Sequence, residues 1–508
     1  MAKDSDIIIK LEKRRTKAEN KALRAEAKRS RKELKRAVKA ENKTARAEAK
    51  RSSKELKRAV KAERRSAAAE PSLEQRLKQI AAEQRQSGDF INLDNAALIF
   101  PASETAELLN MFRLSVVMKE PVDPIALQYA LNDVVPRFPT FVSAVKKGLF
   151  WFYLEPSSKP LTVERQTKFP CRKIPIDTRH ALIRVTYFSH EISVEFFHVA
   201  SDGNGGIVFL NSLVAAYLKR RGATIRDKTN YLNHLDLPEP EEAADCFKRF
   251  CDKTAGKREK DVKAYNIPGR KLPPSALILT KGCMSGCELN GIAKSRGLTV
   301  TQLLVACLIW AVERDRDMRS VSSDRPVVVN VPANLRKLYP SVTLRNFVSI
   351  MPVVSSGSPD FDQVCLRVRS EFEKKNNADF FRSLVNYNIR TERNIFLKFT
   401  PLPLKMLAMK IALKAMSDSV TSTLISNLGR VAAPEEFSDY VARYEFSLSA
   451  QSYSVVAASC VTYNDVAVIT FSRTVKESVI EKLFFRKLSE LGVHIAVETN
   501  HTLRERIV

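Results

Sequence analysis

A single histidine at the end of an apolar stretch is the residue of this chain best suited to chemistry. His198 closes the run "EFFH", and Asp202 and Gly203 follow it within "HVASDGNGG". If residues 192–198 form a strand, period-two alternation places the imidazole on the buried face at the strand's end. An imidazole beside an open space can take a proton from a hydroxyl or an amine, as a general base in acyl transfer does, a role worth about 10²–10⁴-fold in rate. The other interpretation is a core histidine whose hydrogen bonds the protein itself satisfies.

Two features limit the kinds of reaction that His198 could catalyse: the glycines that follow it and the motifs that the chain lacks. Gly203, Gly205 and Gly206 are expected to let the backbone turn sharply and to leave room for a ligand. A helix expected from residue 206 brings its N-terminal dipole to the same place. The chain has no GxSxG nucleophile elbow, and its other histidines lack metal-ligand spacing. We therefore expect direct transfer without a covalent intermediate, and no metal.

Residues 1–66 differ sharply in composition from the rest of the chain. The net charge is +27, and this stretch holds 25 Lys/Arg against 10 Asp/Glu. Two nearly identical 22-residue units, 17–38 and 39–60, place their glutamates along one stripe of a helix with a thin apolar face. We expect either a solvated charged helix or attachment to an anionic surface, phospholipid or RNA. Nucleic acid is the less expected partner, because no aromatic residue interleaves with the basic ones to stack on bases.

The remaining chain is long enough for two structural units. A charged, proline-punctuated stretch at 235–275 is typical of a surface crossover between two halves. We therefore expect four segments: a basic helical tail at 1–70, a first lobe at 71–234, the crossover linker at 235–275, and a second lobe at 276–508.

Hydrophobic periodicity predicts helices and strands mixed throughout both lobes, which is an α/β or α+β fold. In the first lobe we expect strands at 111–119 and 148–156, a hairpin at 181–198, and helices at 123–139, with Asp123 as N-cap and Pro124 in the first turn, and at 206–222. In the second lobe we expect helices at 299–314, 361–375 and 476–491, and strands at 276–281, 326–332, 420–426, 444–449, 453–462, 465–472 and 492–499. The apolar stretch 399–416 is expected as a lobe helix or as a lip that touches membrane.

Several stretches resemble one known superfamily. "HVASDG" fits the HxxxDG motif of the chloramphenicol-acetyltransferase-like superfamily, which includes peptide-synthetase condensation domains, plant acyltransferases, wax-ester synthases and alcohol acetyltransferases. "VPANLRKLYPSVTLRNFVSIMPV" at 331–353 resembles its Arg-containing strand and Asn-Phe turn, and "TSTLISNLGRV" at 421–431 resembles its SNxxG strand. "LDNAALIFPA" at 93–102 and "RFPTF" at 137–141 are similar to the start of bacterial alcohol acetyltransferases. The resemblance covers roughly residues 90–500.

The resemblance implies a two-lobed fold with a central tunnel, in which an acyl donor and an acceptor meet. His198 is then the general base, and Asp202 and Gly203 complete the motif. The motif's acid usually points away from substrate and pairs with an arginine, for which Arg336 and Arg345 are the candidates.

The resemblance also implies the substrates. Acyl-CoA is expected as a co-substrate, with no permanently bound cofactor, and an alcohol is expected to accept the acyl group, most simply acetyl. Thr423, Ser426 and Asn427 are candidate donors to the oxyanion of a tetrahedral intermediate. Their other interpretation is two ordinary strand hydroxyls and a turn amide.

Departures from the family leave two alternatives open. Phe197 stands where condensation domains usually have a second histidine, which agrees better with stand-alone acyltransferases, and the DFGWG motif of the plant enzymes is missing. The first alternative is a carrier-dependent condensation-type enzyme that acylates an amine or a lipid hydroxyl. The second is a catalytically inactive binding protein, tethered to membrane or RNA by its basic tail.

Cysteine use and hydropathy bear on location. The eight cysteines lack the CxxC spacing of zinc sites, the start of the chain lacks the apolar core of a secretory signal, and no run of about 18 apolar residues occurs. We expect reduced thiols in a cytoplasmic protein, peripheral on the inner membrane face if its tail binds lipid.

Overall fold

The computed structural model describes residues 91–103, 109–177, 179–252, 261–273, 276–321, 323–357, 360–394, 399–417, 420–449 and 454–500. All of them fall within one compact unit, Ala67–Asn500. The basic helical tail predicted at 1–70 lies outside the described residues.

Strands and helices are mixed along the described chain. The strands are β1 (Ile91–Asn92), β2 (Met111–Met118), β3 (Ser143–Lys147), β4 (Phe152–Pro156), β5 (Glu164–Arg165), β6 (Ile183–Phe188), β7 (Glu191–Phe197), β8 (Ile278–Ser285), β9 (Val327–Asn334), β10 (Val348–Ser355), β11 (Thr423–Arg430), β12 (Val441–Leu448), β13 (Val456–Tyr463), β14 (Val466–Arg473) and β15 (Ala496–Thr499). The helices are α1 (Phe100–Ser103), α2 (Pro124–Val134), α3 (Gly203–Arg220), α4 (Cys246–Phe250), α5 (Gly286–Ser295), α6 (Val300–Met318), α7 (Phe361–Lys375), α8 (Ala378–Glu392), α9 (Leu402–Ser417), α10 (Phe437–Tyr440) and α11 (Val479–Glu490).

Three sheets organise the strands of the described residues. A five-stranded sheet has the order β12-β2-β7-β6-β5, a seven-stranded sheet the order β10-β9-β11-β13-β14-β8-β15, and a three-stranded sheet the order β1-β4-β3. The strand β12 comes from the second half of the chain, yet it pairs antiparallel with β2, with Phe446 opposite Leu114. The two halves of the fold are therefore not separated at a single point of the chain.

Two large apolar cores hold these sheets. One contains the inner faces of β2 and β7 with the buried sides of α2 and α3, and the other contains α6 packed on the seven-stranded sheet. The helix α6 is apolar on most of its surface because it is surrounded: Leu303, Val305 and Leu308 are all fully buried.

The five-stranded sheet has two chemically different faces. On β7, Ile192, Val194 and Phe196 belong to the first core. The alternate residues Ser193 and Glu195 are also buried, so this strand is covered on both sides. On this second face Glu191, Ser193 and Glu195 supply charged and hydroxyl side chains.

Local sequence signals explain several of the helix boundaries. Asp123 accepts hydrogen bonds from the backbone N–H groups of Ile125 and Ala126, and Pro124 occupies the first helical position, as predicted. The helix predicted at 361–375 is confirmed at both ends by α7. The helix predicted from residue 206 begins instead at Gly203, because Asp202 caps it.

Other predictions were displaced or incomplete. The strand predicted at 148–156 begins only at Phe152, and the helix predicted at 299–314 continues to Met318. No element was predicted for β3, β10, α5 or α8. The stretch 235–275 contains the short helix α4 and the single-turn helix Pro240–Ala243.

The apolar stretch predicted at 399–416 forms α9. Its residues Leu404, Leu407 and Ile411 are exposed, whereas Lys405 is buried with its ammonium over the Trp151 ring. Contact of this stretch with a membrane stays a prediction. No single described helix is long and apolar enough to cross a membrane, and α5 and α6 meet that criterion only as a pair bent by 81°.

Candidate active site

The predicted base, His198, lies one residue beyond the end of β7. Its backbone N–H donates to the carbonyl of Asn110 at 2.9 Å, which fixes the chain as it leaves the sheet. The half-buried imidazole lies between two aromatic rings, with centroid distances of 4.7 Å to Phe100 and 5.2 Å to Phe112. These rings restrict the imidazole to one orientation.

The tautomer of this histidine is set by Asn346. Asn346 Oδ1 lies 2.8 Å from His198 Nδ1, while its amide Nδ2 donates to the carbonyl of His198 and to Asp94 Oδ2. Both amide hydrogens are thus used elsewhere, so the atom that faces the ring is the oxygen, which can only accept. The proton of the neutral ring therefore resides on Nδ1, and Nε2 keeps its lone pair. Among the described residues no hydrogen-bond partner faces Nε2.

A buried carboxylate supports Asn346 from behind. Asp94 is fully buried, accepts a hydrogen bond from the backbone N–H of Ala97 at 2.7 Å, and lies 3.4 Å from Nε of Arg345. Burial raises the pKa of the Asp94 carboxyl, although the charge of Arg345 and the Asn346 amide oppose that effect. Arg345, one of the two arginines considered as partner for Asp202, is therefore paired with Asp94.

The Asp202 carboxylate joins two segments of the chain through hydrogen bonds, and we refer to this structural role as a clamp. Its Oδ1 accepts from the backbone N–H groups of Asn204 and Gly205, which caps α3. Its Oδ2 accepts from Arg336 Nη1 at 2.7 Å and from the backbone N–H of Phe347 at 2.9 Å. The carboxylate is fully buried and ties the start of α3 to the segment that follows β9.

Arg336 continues that clamp toward the histidine. Its Nη2 donates to the carbonyls of Thr343 at 2.9 Å and Arg345 at 2.7 Å. These two residues lie just before Asn346 in the chain. The ion pair between Arg336 and Asp202 therefore positions the residue that orients His198, and no hydrogen bond among the described residues joins Asp202 to the imidazole itself.

The glycines that follow Asp202 are closely packed, and at Gly205 the neighbour is backbone, which cannot easily move. A Cβ on Gly203 would lie 2.5 Å from Leu428 Cδ2, and one on Gly205 would lie 2.1 Å from the carbonyl oxygen of Leu344. A Cβ on Gly206 would lie 2.9 Å from Leu114 Cδ1. The room that these glycines leave is therefore filled by protein atoms, where we had expected a ligand.

The three candidate oxyanion donors have different environments on β11. The Thr423 hydroxyl is buried and donates to the carbonyl of Val456 at 2.7 Å, and the Asn427 amide donates to Thr301 Oγ1 at 3.0 Å. Ser426 is half-buried and makes no hydrogen bond to the described residues through its side chain. No hydrogen bond among the described residues joins these three to His198, and Ser426 remains the candidate whose hydroxyl is unengaged.

Two cavities of the described part of the protein lie away from His198. One of about 30 Å³ lies beside Arg137 and Glu242, and one of about 180 Å³ lies beside Arg172 and Arg184. His198 lines neither of them, and the central tunnel that the resemblance implies is not one of these two cavities. Among the described residues no group of three or more His, Cys, Asp or Glu side chains could hold a metal ion. All eight cysteines are free thiols.

Comparison with known proteins rests on the fold. No protein-family model and no curated protein sequence matches the chain. Among solved structures, polyketide synthase associated protein 5 from Mycobacterium tuberculosis is 14% identical, with a TM-score of 0.50 over 78% of this chain and 97% of that one. A mutant starter condensation domain of rhizomide synthetase, in complex with C8-CoA and Leu-SNAC, is 11% identical, with a TM-score of 0.51 over 80% and 95%. Trichothecene 15-O-acetyltransferase from Fusarium sporotrichioides is 12% identical, with a TM-score of 0.50 over 78% and 93%.

These neighbours define the class of fold. They include condensation domains and an O-acetyltransferase, and they align along most of both chains. The chain therefore has the two-lobed fold of the chloramphenicol-acetyltransferase-like superfamily, as its HxxxDG motif predicted.

Two residues of the site were missed by sequence reasoning. Asn346 lies in the stretch that was compared with the family's Asn-Phe turn, but no role was given to its side chain. Asp94 lies in "LDNAALIFPA", a stretch that is similar to the start of bacterial alcohol acetyltransferases but to which no side-chain role was assigned. Asn346 is 148 residues from His198, and Asp94 is 252 residues from Asn346. At such separations no local sequence pattern indicates that these side chains meet.

Proposed function

We propose that this protein is an acyltransferase that uses a CoA or carrier-bound thioester, with His198 as its general base. The observation that carries the proposal is the hydrogen bond from His198 Nδ1 to Asn346 Oδ1, which leaves Nε2 as the basic nitrogen. The shared fold supports it, since one neighbour is named as a 15-O-acetyltransferase and another was solved with C8-CoA.

The reaction follows from that nitrogen. Nε2 takes the proton of an acceptor hydroxyl, whose oxygen forms a bond to the thioester carbonyl carbon. The tetrahedral intermediate then collapses, the carbon–sulfur bond breaks, and the thiolate receives the proton from the imidazolium. The positive charge on the ring is transient, and the buried Asp94 behind Asn346 lies on the side of the ring where a negative charge stabilises it. Ser426 is the candidate donor to the oxyanion.

We propose an alcohol as the acceptor and acetyl as the acyl group, because the motif is that of the stand-alone enzymes. Phe197 replaces the second histidine of condensation domains, and it is fully buried in the core, so it has no access to a substrate. A carrier-dependent enzyme acting on an amine is the alternative within the same chemistry, and the condensation domains among the structural neighbours favour it.

A catalytically inactive binding protein is the alternative from another class. One observation favours it: neither of the cavities described here opens at His198. The basic tail would then tether the fold to an anionic surface, and the hydrogen bonds around the histidine would serve only packing.

Thiol release separates these three functions. Acetyl-CoA, longer acyl-CoA esters and acyl-pantetheine are each incubated with a panel of alcohols and amines, and the acylated product is identified by mass spectrometry. We expect acceptor-dependent release with an alcohol and an ester product. An amide product or release from acyl-pantetheine alone would replace the alcohol proposal with the carrier-dependent one. Acceptor-independent release at the rate of a His198→Ala variant would contradict acyl transfer at this site.

A further inference from the structure

A second polar site lies on the charged face of the five-stranded sheet. The cavity of about 180 Å³ is formed by β5, the segment that follows it, and side chains of β6 and β7. None of its lining residues is a hydrogen-bonding or ring partner of His198. Four of the lining residues are basic and two are acidic: Arg165, Lys168, Arg172 and Arg184 against Glu164 and Glu195.

The buried acidic residue of this cavity, Glu195, already has several hydrogen-bond and ion-pair partners. Glu195 Oε2 accepts from Arg184 Nη1 at 2.6 Å, and Glu195 Oε1 lies 3.5 Å from Arg113 Nη1. The same oxygen Oε1 also accepts from the backbone N–H of Cys171 at 2.7 Å. The carboxylate is therefore shared between Arg184 and Arg113, and Arg113 is also paired with Glu191 at 2.8 Å.

Arg172 is a half-buried cation beside another cation. Burial lowers the pKa of its guanidinium, and the neighbouring charge of Arg184 lowers it further, although Glu195 and Glu164 oppose that shift. Hydrogen bonds to the backbone carbonyls of Arg172 and Lys173 hold the Arg184 guanidinium in place. An anion between them would relieve this repulsion.

A buried hydroxyl without a hydrogen-bond partner also indicates an anionic ligand in this cavity. Thr186 lines the cavity and is only 5% exposed, and its Oγ1 has no hydrogen-bond partner. It lies two residues after Arg184 on β6, so both side chains emerge on the same face of the sheet. A buried hydroxyl without a partner is unfavourable, and an acceptor oxygen held by the arginines would satisfy it.

We propose that this cavity binds a phosphoryl group. Arg172 and Arg184 supply charged donors, and Thr186 Oγ1 supplies a neutral one. A tetrahedral dianion matches the excess of two positive charges and offers several acceptor oxygens to donors that converge from different directions. The cavity of about 180 Å³ has the volume that roughly six water molecules occupy in the liquid. This space accommodates a phosphoryl group and part of its substituent. The group belongs to a soluble phosphate ester or to a phospholipid headgroup, and the site is independent of acyl transfer at His198.

Calorimetric titration of the full chain with inorganic phosphate, against chloride at equal ionic strength, tests the proposal. We expect Arg172→Gln to weaken phosphate binding about tenfold. Thr186→Val, which keeps the shape and removes the unpaired hydroxyl, should weaken it about threefold without lowering stability. Arg486→Gln removes the same charge from an exposed position outside the cavity and should leave binding unchanged.

Vesicles distinguish the two sources of the phosphoryl group. Cosedimentation with phosphatidylcholine vesicles containing phosphatidic acid is compared between the parent, Arg172→Gln and Arg486→Gln. Vesicle binding that falls only with Arg172→Gln assigns a lipid headgroup, and phosphate binding that falls alone assigns a soluble ester. Absence of phosphate and vesicle binding, or binding that Arg172→Gln and Arg486→Gln change equally, would overturn the proposal.

Discussion

Alanine at Asp202 distinguishes a structural clamp from a residue that takes part in chemistry. The chain offers a matched control, because Asp123 is also an N-cap aspartate that accepts two backbone hydrogen bonds and faces an arginine. The side chain of Asp123 is 38% exposed and lies 3.6 Å from Arg221, whereas that of Asp202 is 1% exposed and lies 2.7 Å from Arg336. The two substitutions therefore remove similar bonds in very different surroundings.

The expected magnitudes follow from burial. Asp123→Ala removes a helix cap, which costs about 1 kcal/mol, and an exposed ion pair, which adds about 0–1 kcal/mol. Asp202→Ala removes a cap too, but it also takes away the only carboxylate paired with Arg336 among the described residues and leaves the N–H of Phe347 without its acceptor. Removal of one partner of a buried pair costs about 3–5 kcal/mol, so we expect Asp202→Ala to be the more destabilising by about 2–5 kcal/mol.

Urea unfolding followed by circular dichroism measures this difference, and thiol release is measured at a temperature where both variants remain folded. The clamp predicts a large shift of the unfolding midpoint for Asp202→Ala, with the remaining activity lost through disorder at Asn346. Equal midpoints for the two variants, combined with abolished turnover in Asp202→Ala alone, would refute the clamp and assign Asp202 to the chemistry.

Three further substitutions test separate features. Asn346→Ala removes the acceptor that fixes the His198 tautomer, so we expect kcat for thiol release to fall about tenfold with KM unchanged; an unchanged kcat would contradict this role. Gly205→Ala places a Cβ against the carbonyl of Leu344 and should cost about 1–3 kcal/mol, whereas Gly291→Ala, in an exposed helix with open space around it, should stabilise by about 0.5–1 kcal/mol; equal effects would contradict the packing argument. Burial raises the pKa of the Glu313 carboxyl to about 7 from 4.5, so the folded state holds a proton that the unfolded state releases, and stability should fall as pH rises from about 4.5 to about 7. In Glu313→Gln the decrease in the free energy of unfolding over this pH range should be smaller by about 3 kcal/mol, as measured by urea unfolding at several pH values. An unaltered pH profile would exclude Glu313 as its source.

Much of the fold follows from local patterns. The N-caps, the amphipathic spacing and the apolar runs predicted both ends of α7 and the start of α2, although the helix predicted at 123–139 ends at Val134. These features are defined by residues near one another in the chain. Long-range pairing is different. The strand β12 lies more than 300 residues from β2, its partner, and nothing in its own sequence shows that it crosses to the first sheet.

The second face of the five-stranded sheet illustrates the same limit. The alternation in "EISVEFF" predicts a strand with an apolar and a polar face, and a polar face normally meets solvent. In the structure Glu195 is buried because Arg113 and Arg184, from two neighbouring strands, balance its charge. Only the assembled sheet brings these three side chains together.

At the candidate site the motif predicted the residues better than their roles. His198, Asp202 and an arginine partner were all expected, but the choice between Arg336 and Arg345 depends on which one reaches Asp202 in space. The hydrogen bond that determines which histidine nitrogen is basic comes from Asn346, and no spacing rule connects residues so distant in the sequence.

The most direct test of the account is the rate of acceptor-dependent thiol release by His198→Asn. Asparagine keeps a donor near the position of Nδ1, so the bond to Asn346 Oδ1 can form, while the basic Nε2 is lost. We expect kcat to fall by about 10²–10⁴-fold, with the urea midpoint close to that of the parent. Turnover by this variant at the parental rate would contradict His198 as the base.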